Sequence, residues 1–335
     1  MDLSSVTITT DNPYDYFGHA EDLFRQDRSE DLEKYCSLIF ERFPTEPIFW
    51  RLLGWTAEKQ KNWKLSSARW DMVRTHAPTD FRAHLLWLQA LRRSGQSAAA
   101  AEAMALIEHS FPDADLQLDR EKTEFHLQAR EFTARCESIG SGCEFGLLQR
   151  EAGHEPLGLL RWSSISPSGL VSGLKSKFSG IGSPEYTKLS TAEGEYYLTD
   201  NLYSIRMHTF IPVTVDAKQV IKQLARRLQF LARKLIEELE LAEKVFVYKY
   251  GDAIELPVLL RSEVEEIFEA LQAYGPNRML LVEKAGVGEQ PGSTARLNKR
   301  LIRGCVSKVN AYDGVNDSDY PAWTSICREA ARVFG

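Results

Sequence analysis

What the chain lacks narrows its chemistry first. No Cys-x-x-Cys pair occurs among its five cysteines, Cys36, Cys136, Cys143, Cys305 and Cys327. That removes zinc-ribbon and thioredoxin-type sites, and so scattered and odd a set points to a reducing, cytoplasmic compartment. No run of about 18 apolar residues is present, so no membrane span is expected. No Gly-x-x-x-x-Gly-Lys-[Ser/Thr] or Gly-x-Gly-x-x-Gly follows a strand pattern, so neither a nucleotide cradle nor any cofactor is implied. Gly-x-Ser-x-Gly is missing as well. Basic excess is absent: 41 Lys and Arg face 47 Asp and Glu, a net charge of −6, which argues against a general nucleic-acid partner. Residues 1–12 carry neither the basic nor the apolar part of a secretory signal. The acidic Asp313, Asp317 and Asp319 lack the spacing of a calcium loop and read as a solvated turn, so no metal site is expected.

What is present begins with a period. Pro44, Pro78 and Pro112 recur every 34 residues, each after an apolar stretch that reads as helix. The middle unit, from about Pro47 to Thr79, places Trp50, Leu53 and Gly54 in a first helix and Trp70 and Val73 in a second. The next keeps Trp87, Leu88, Leu91, Ala100, Met104 and Ile107 but has Leu88 where a small residue is usual. The first, from Pro13, carries Tyr16, Leu23, Leu32, Cys36 and Ile39. This pattern resembles the tetratricopeptide repeat. One helix pair cannot bury its apolar face alone, so neighbours stack and share a core. A further helix, about Asp119 to Ala134, would cap the stack. The resemblance implies a surface that holds a protein or peptide. The tryptophans at helical spacing read as packing between helices.

From about residue 133 the pattern alternates. Helices are expected at Cys143–Ala152, Ser168–Phe178, Asp216–Glu243, Arg261–Tyr274 and Tyr320–Phe334. Strands are expected at Glu195–Thr199, Ser204–Phe210, Val245–Tyr250, Met279–Glu283 and Cys305–Val309, and an exposed loop at Gly286–Thr294. The organisation expected is therefore an N-terminal tail (1–12), a helical repeat solenoid (13–132) and a mixed α/β domain (133–335).

Chemistry points to Cys143. Two glycines and two serines in Ser138-Ile-Gly-Ser-Gly-Cys143 lead into a helix, and a thiol at a helix N-terminus meets unpaired backbone N–H groups that favour a thiolate. The same residue also reads as a small packing residue. A thiol nucleophile needs a base. His154 lies at the far end of the same helix, roughly 15 Å along it. His208, late on an expected strand, is the better base.

The run Ser-Ile-Gly-Ser-Gly-Cys-Glu-Phe-Gly-Leu, then Glu-Pro-Leu-Gly-Leu-Leu-Arg-Trp, His-Thr-Phe and Val-Phe-Val-Tyr-Lys, resembles a bacterial family described as papain-like cysteine peptidases, over about Cys136 to Phe334. The resemblance implies Cys143 as nucleophile and His208 as base. The residue orienting the histidine is assigned to Asp252 by position, with Asp200 and Asn201 as alternatives. The Cys143 N–H, with Gln149 or a nearby serine, would hold an oxyanion. Arg161-Trp162 stands where related sequences carry a Phe-Asp-Trp-like element. The expected activity is a thiol-dependent hydrolase or acyltransferase whose repeats recruit a protein. The other reading is a non-catalytic interaction protein that binds a glycan or anionic ligand through Arg226, Arg227 and Arg233, linked to surface-polysaccharide machinery. The basic first half of that helix, with Lys218, Lys222, Arg226 and Arg227, opposes the helix dipole, which is what draws attention to it.

Overall fold

A computed structural model of the protein describes residues 9–250, 260–307 and 319–335. It divides into two compact units, Met1–Leu127 and Gln128–Gly335. The first is helical: α1 (Phe17–Arg25), α2 (Ser29–Phe40), α3 (Pro47–Lys59), α4 (Trp63–His76), α5 (Phe81–Arg93), α6 (Ser97–Ser110) and α7 (Gln117–Ala134). The starts of α2, α4 and α6 are 34 residues apart, as are those of α3 and α5. Local chemistry sets these starts. Glu46 caps α3 with Pro47 at its first position, Asn62 accepts the Leu65 N–H at the head of α4, and Asp80 accepts the Ala83 N–H at the head of α5.

Successive pairs solve one packing problem with different residues. Gly54 on α3 leaves room for Trp70 on α4: a Cβ there would stand 2.8 Å from the indole Cε2. The Trp70 N–H is anchored 2.7 Å from Glu58 Oε1, so the ring has nowhere to move. One repeat later the sizes are exchanged, with Leu88 and Met104 at the corresponding places, both buried. One repeat earlier they are Ala20 and Cys36, again buried. The unusual Leu88 is thus balanced by a slimmer partner, and Cys36 is a packing residue. The other tryptophans also pack: Trp55 meets Trp70 edge-on at 5.5 Å, and Trp50 stacks on Phe40 at 4.1 Å.

The unit boundary falls inside α7, earlier than the expected break at 132. The last turns of that helix belong to the second unit: Gln149 donates to the Thr133 carbonyl at 3.2 Å, and His154 Nε2 lies 3.2 Å from the Arg130 carbonyl.

The second unit contains β1 (Cys136–Ser138), α8 (Glu144–Glu151), β2 (Ser163–Ser164), α9 (Pro167–Lys175), β3 (Thr187–Ala192), β4 (Glu195–Asp200), β5 (Ile205–Pro212), α10 (Ala217–Leu241), β6 (Val245–Lys249), α11 (Arg261–Gln272), β7 (Arg278–Lys284), β8 (Thr294–Arg296), β9 (Leu301–Val306) and α12 (Tyr320–Phe334). One sheet has the order β1-β6-β7-β9-β8, with β1, β6, β7 and β9 parallel and β8 antiparallel at the edge. The other, antiparallel, has the order β2-β5-β4-β3. All five residues of β6 are buried, as a strand covered on both faces requires. On β5, buried Ile205, Met207 and Thr209 alternate with the more exposed Arg206, His208 and Phe210. The inner face joins a core with α9, α10 and α11 that includes Leu170, Leu198, Leu224, Leu228 and Ile267.

Three departures from the expected elements have physical causes. Strands β1, β2 and β3 were not expected, because β1 is only three residues with Glu137 in its middle, β2 is only two serines, and β3 is mostly exposed. The strand expected at Cys305–Val309 begins at Leu301, where Arg303 in mid-strand hides the pattern; residues 308–318 lie outside those described. Thr294, expected to end a loop, opens β8 instead.

The exchanged pairs yield a stability test. Gly54→Leu alone should lower the stability of the first unit by about 1–3 kcal/mol through overpacking. Adding Trp70→Met, which transplants the Leu88–Met104 combination, should recover at least half of that loss in urea unfolding.

Candidate functional site

The Cys143 loop leaves the carboxyl end of β1, at the edge where open parallel sheets place their ligands. The chain first continues beside β6: Lys249 N–H donates to the Gly140 carbonyl at 2.7 Å, and Ser141 N–H to the Lys249 carbonyl at 2.6 Å. It then turns through Gly140 at φ +113° and Gly142 at φ +94°, which a side chain would strain. That places Cys143 at the N-cap of α8, partly exposed, while Cys36, Cys136, Cys305 and Cys327 are buried.

A buried ion pair supports this turn. Lys249 Nζ lies 2.6 Å from Glu144 Oε2, and Trp323 Nε1 donates to Glu144 Oε1 at 2.9 Å. A Cβ on Gly142 would stand 3.7 Å from the same Lys249 Nζ. Both neighbours of Cys143 therefore rest against one ammonium. Strand β6, helix α8 and helix α12 must all be in place for the loop to take its shape.

The second component comes from the antiparallel sheet. Gly142 N–H donates to the Ser163 carbonyl at 2.9 Å, and His208 N–H donates to the Trp162 carbonyl at 3.1 Å. Consecutive residues of one segment thus tie the cysteine loop and the histidine strand together. His208 Nδ1 lies 2.8 Å from Glu195 Oε1. A carboxylate only accepts, so Nδ1 carries the proton and Nε2 is left as the basic nitrogen. Among the described residues the ring makes this hydrogen bond and none to the Cys143 sulfur.

Several expected roles change. Glu195, not the alternatives Asp200 or Asn201, holds the imidazole. Asp200 is buried and accepts from Gly182 N–H, Thr187 Oγ1 and Leu202 N–H, which makes it the organiser of a turn. Asn201 donates its N–H to the Tyr186 carbonyl. Asp252 lies outside the described residues, as do Asp313 and Asp317; Asp319 caps α12. Gln149 is withdrawn as an oxyanion donor, because it is buried and its amide nitrogen donates to the Thr133 and Cys136 carbonyls. Arg161 is buried, bonded to Glu155 at 2.7 Å and to the Gly146 carbonyl at 2.9 Å, so it locks α8 to the loop before β2.

Glu195 was hidden from sequence reasoning by a register shift. Tyr197 pairs with His208, but Glu195 pairs with Pro212, and the irregularity between them re-aims the glutamate. Lys249 had a weak signal, a lone charge ending an otherwise apolar strand.

Arg226, Arg227 and Arg233 stand on the exposed side of α10. Arg226 and Arg233, seven apart, share a face; Arg227 lies about 100° round the helix from Arg226. A cavity of ≈ 480 Å³ lined by Leu174, Lys177, Glu240, Glu269 and Tyr274 contains neither Cys143 nor His208. No helix among the described residues is long and apolar enough to cross a membrane. Comparison with family models, curated proteins and solved structures finds no match to this chain.

Two measurements check this geometry. Limited alkylation with iodoacetamide, read by mass spectrometry, should modify Cys143 well before the other four. Burial shields those, and it also pushes the Cys36 and Cys327 thiols up to about 12 and raises Cys136. Lys249→Met, which leaves Glu144 buried without its cation, should cost about 3–5 kcal/mol in unfolding free energy, and adding Glu144→Gln should return much of it.

Proposed function

We propose that the second unit is a thiol-dependent acyl hydrolase or acyltransferase of papain-like logic, with Cys143 as nucleophile, His208 as base and Glu195 as the residue that orients it. The observation that carries this reading is the 2.8 Å His208–Glu195 bond on a strand tied to the cysteine loop through Trp162 and Ser163. Glu195 supplies the third member that position alone had assigned to Asp252.

The steps balance as acyl transfer. His208 Nε2 takes the thiol proton as Cys143 Sγ bonds to a carbonyl carbon. The backbone N–H groups at the head of α8 face the charge that develops on the carbonyl oxygen. The carbon–leaving-group bond breaks and Nε2 returns the proton to the departing amine or alcohol. Water or another acceptor then attacks the thioester and releases Cys143. A thiol nucleophile of this kind works in reducing surroundings.

The helical unit supports a recruiting role. Its second helices α2, α4 and α6 start every 34 residues and carry the small–large exchange with the first helices, the arrangement of tetratricopeptide-like repeats, which hold protein segments. The interaction-only reading, with the α10 arginines as an anion site, would leave the His208–Glu195 pair without a role.

A generic ester tests the chemistry. With p-nitrophenyl acetate the native chain should show an initial burst of p-nitrophenolate. Cys143→Ala should abolish it, and Glu195→Gln should slow it by about 10²–10⁴-fold through loss of the working tautomer. An undiminished burst from Cys143→Ala sinks the proposal.

A further inference from the structure

The outward face of the antiparallel sheet carries a row of rings whose two ends are cationic. Tyr197 and His208 are cross-strand partners with centroids 4.5 Å apart. His208 stacks with Phe210 at 5.8 Å, and Phe210 meets Trp162 edge-on at 5.4 Å. At one end the Arg206 guanidinium lies 5.1 Å from the Tyr197 centroid. At the other the Arg150 guanidinium lies 4.5 Å from Trp162 and 5.9 Å from Phe210.

Tyr197 is buried beneath the row, and the groups around it are the accessible ones. Phe210 is 54% exposed, an unusual state for a large ring on a paired strand. Arg206 is exposed, and its guanidinium makes no hydrogen bond or ion pair among the described residues. Arg150 uses Nε for Glu155 at 2.7 Å, and its terminal nitrogens take no hydrogen bond among the described residues. Rings hold both guanidinium planes in orientation, so little freedom is lost when they meet a carboxylate. Of the acids beside the row, Glu195 is engaged with His208, and Glu155 with Arg150 and Arg161; Glu193 and Glu195 both stand near Tyr197.

We infer that this row is a docking strip for an extended acidic peptide segment, with an acid at each end and an aromatic or large apolar residue between them. An extended segment presents alternate side chains to one face, so acids two residues either side of an apolar residue point the same way. Charge complementarity selects the occupant: two ring-flanked guanidinium groups fit side-chain carboxylates, and the exposed Phe210 fits an apolar side chain between them. His208 lies inside the strip, so a docked segment brings its backbone to the imidazole. That last step, presentation to Cys143, rests on the acyl-transfer reading; docking does not.

The test uses the full chain carrying Cys143→Ala, so that no probe is consumed. It is applied to immobilised peptides X-Ala-Phe-Ala-X with X as Glu, Gln or Lys. The Glu peptide should be retained about tenfold more than the Gln peptide, and the Lys peptide least. Arg206→Glu, at an exposed position, should erase or invert that preference; Arg150→Glu should do the same. Equal retention of all three peptides overturns the inference. So does a Glu preference that survives both reversals, or retention on an acidic polysaccharide such as alginate with no retained peptide. Retention of the Glu peptide by a chain whose native form gives no ester burst would uphold the strip while removing the acyl-transfer reading.

Discussion

The candidate site depends on burying one opposite-charge pair. Lys249 and Glu144 are both almost wholly removed from solvent, and each is the partner that compensates the other's buried charge. Their 2.6 Å contact, with the Trp323 N–H on the second carboxylate oxygen, couples a strand end, a helix start and the C-terminal helix. Removing either charged partner leaves an uncompensated charge in a low-dielectric interior, and removing the Trp323 N–H leaves a buried carboxylate oxygen unsatisfied. The Cys143 turn sits on that junction, so its shape inherits the rigidity of the core.

A second charged cluster shows the same economy beneath β1. Glu137 on that strand is buried near Lys244 and Lys234, with Glu238 bridging both lysines. Burial and the neighbouring Glu238 hold the Glu137 carboxyl above the usual carboxylate range, while the lysines oppose that shift. Such a residue explains why a short strand at the start of the parallel sheet carries no apolar pattern. The sheet is thus framed by ionic contacts at β1 and at the end of β6.

Much of the architecture was legible because it follows periodicity. The 34-residue recurrence marked the helix pairs, and the stripe of Leu224, Leu228, Leu231, Leu235 and Leu239 marked α10. The apolar run Val-Phe-Val-Tyr marked β6. Elements that are very short, or whose burial is ionic or partial, left no such trace: β1, β2, β3 and the edge strand β8 were missed. The site was legible where local backbone chemistry decides it. Gly140 and Gly142 need positive φ, and that requirement is written into the sequence around Cys143. His208 could be chosen among histidines by its place on a strand. Glu195 could not be found, since a shift of pairing between Glu195 and Tyr197 brings it to the ring.

The sequence by itself determined which segments repeat, which helices have a buried stripe, and where a thiol would stand at a helix tip, because these depend on spacing and on residues close along the chain. Only the tertiary structure decided that Lys249 would meet Glu144 across 105 residues, that Glu195 would hold His208, and that Arg150 and Arg206 would flank one row of rings. Those partners are set by strand order, register and helix docking, which are properties of the whole packed core and not of any local stretch.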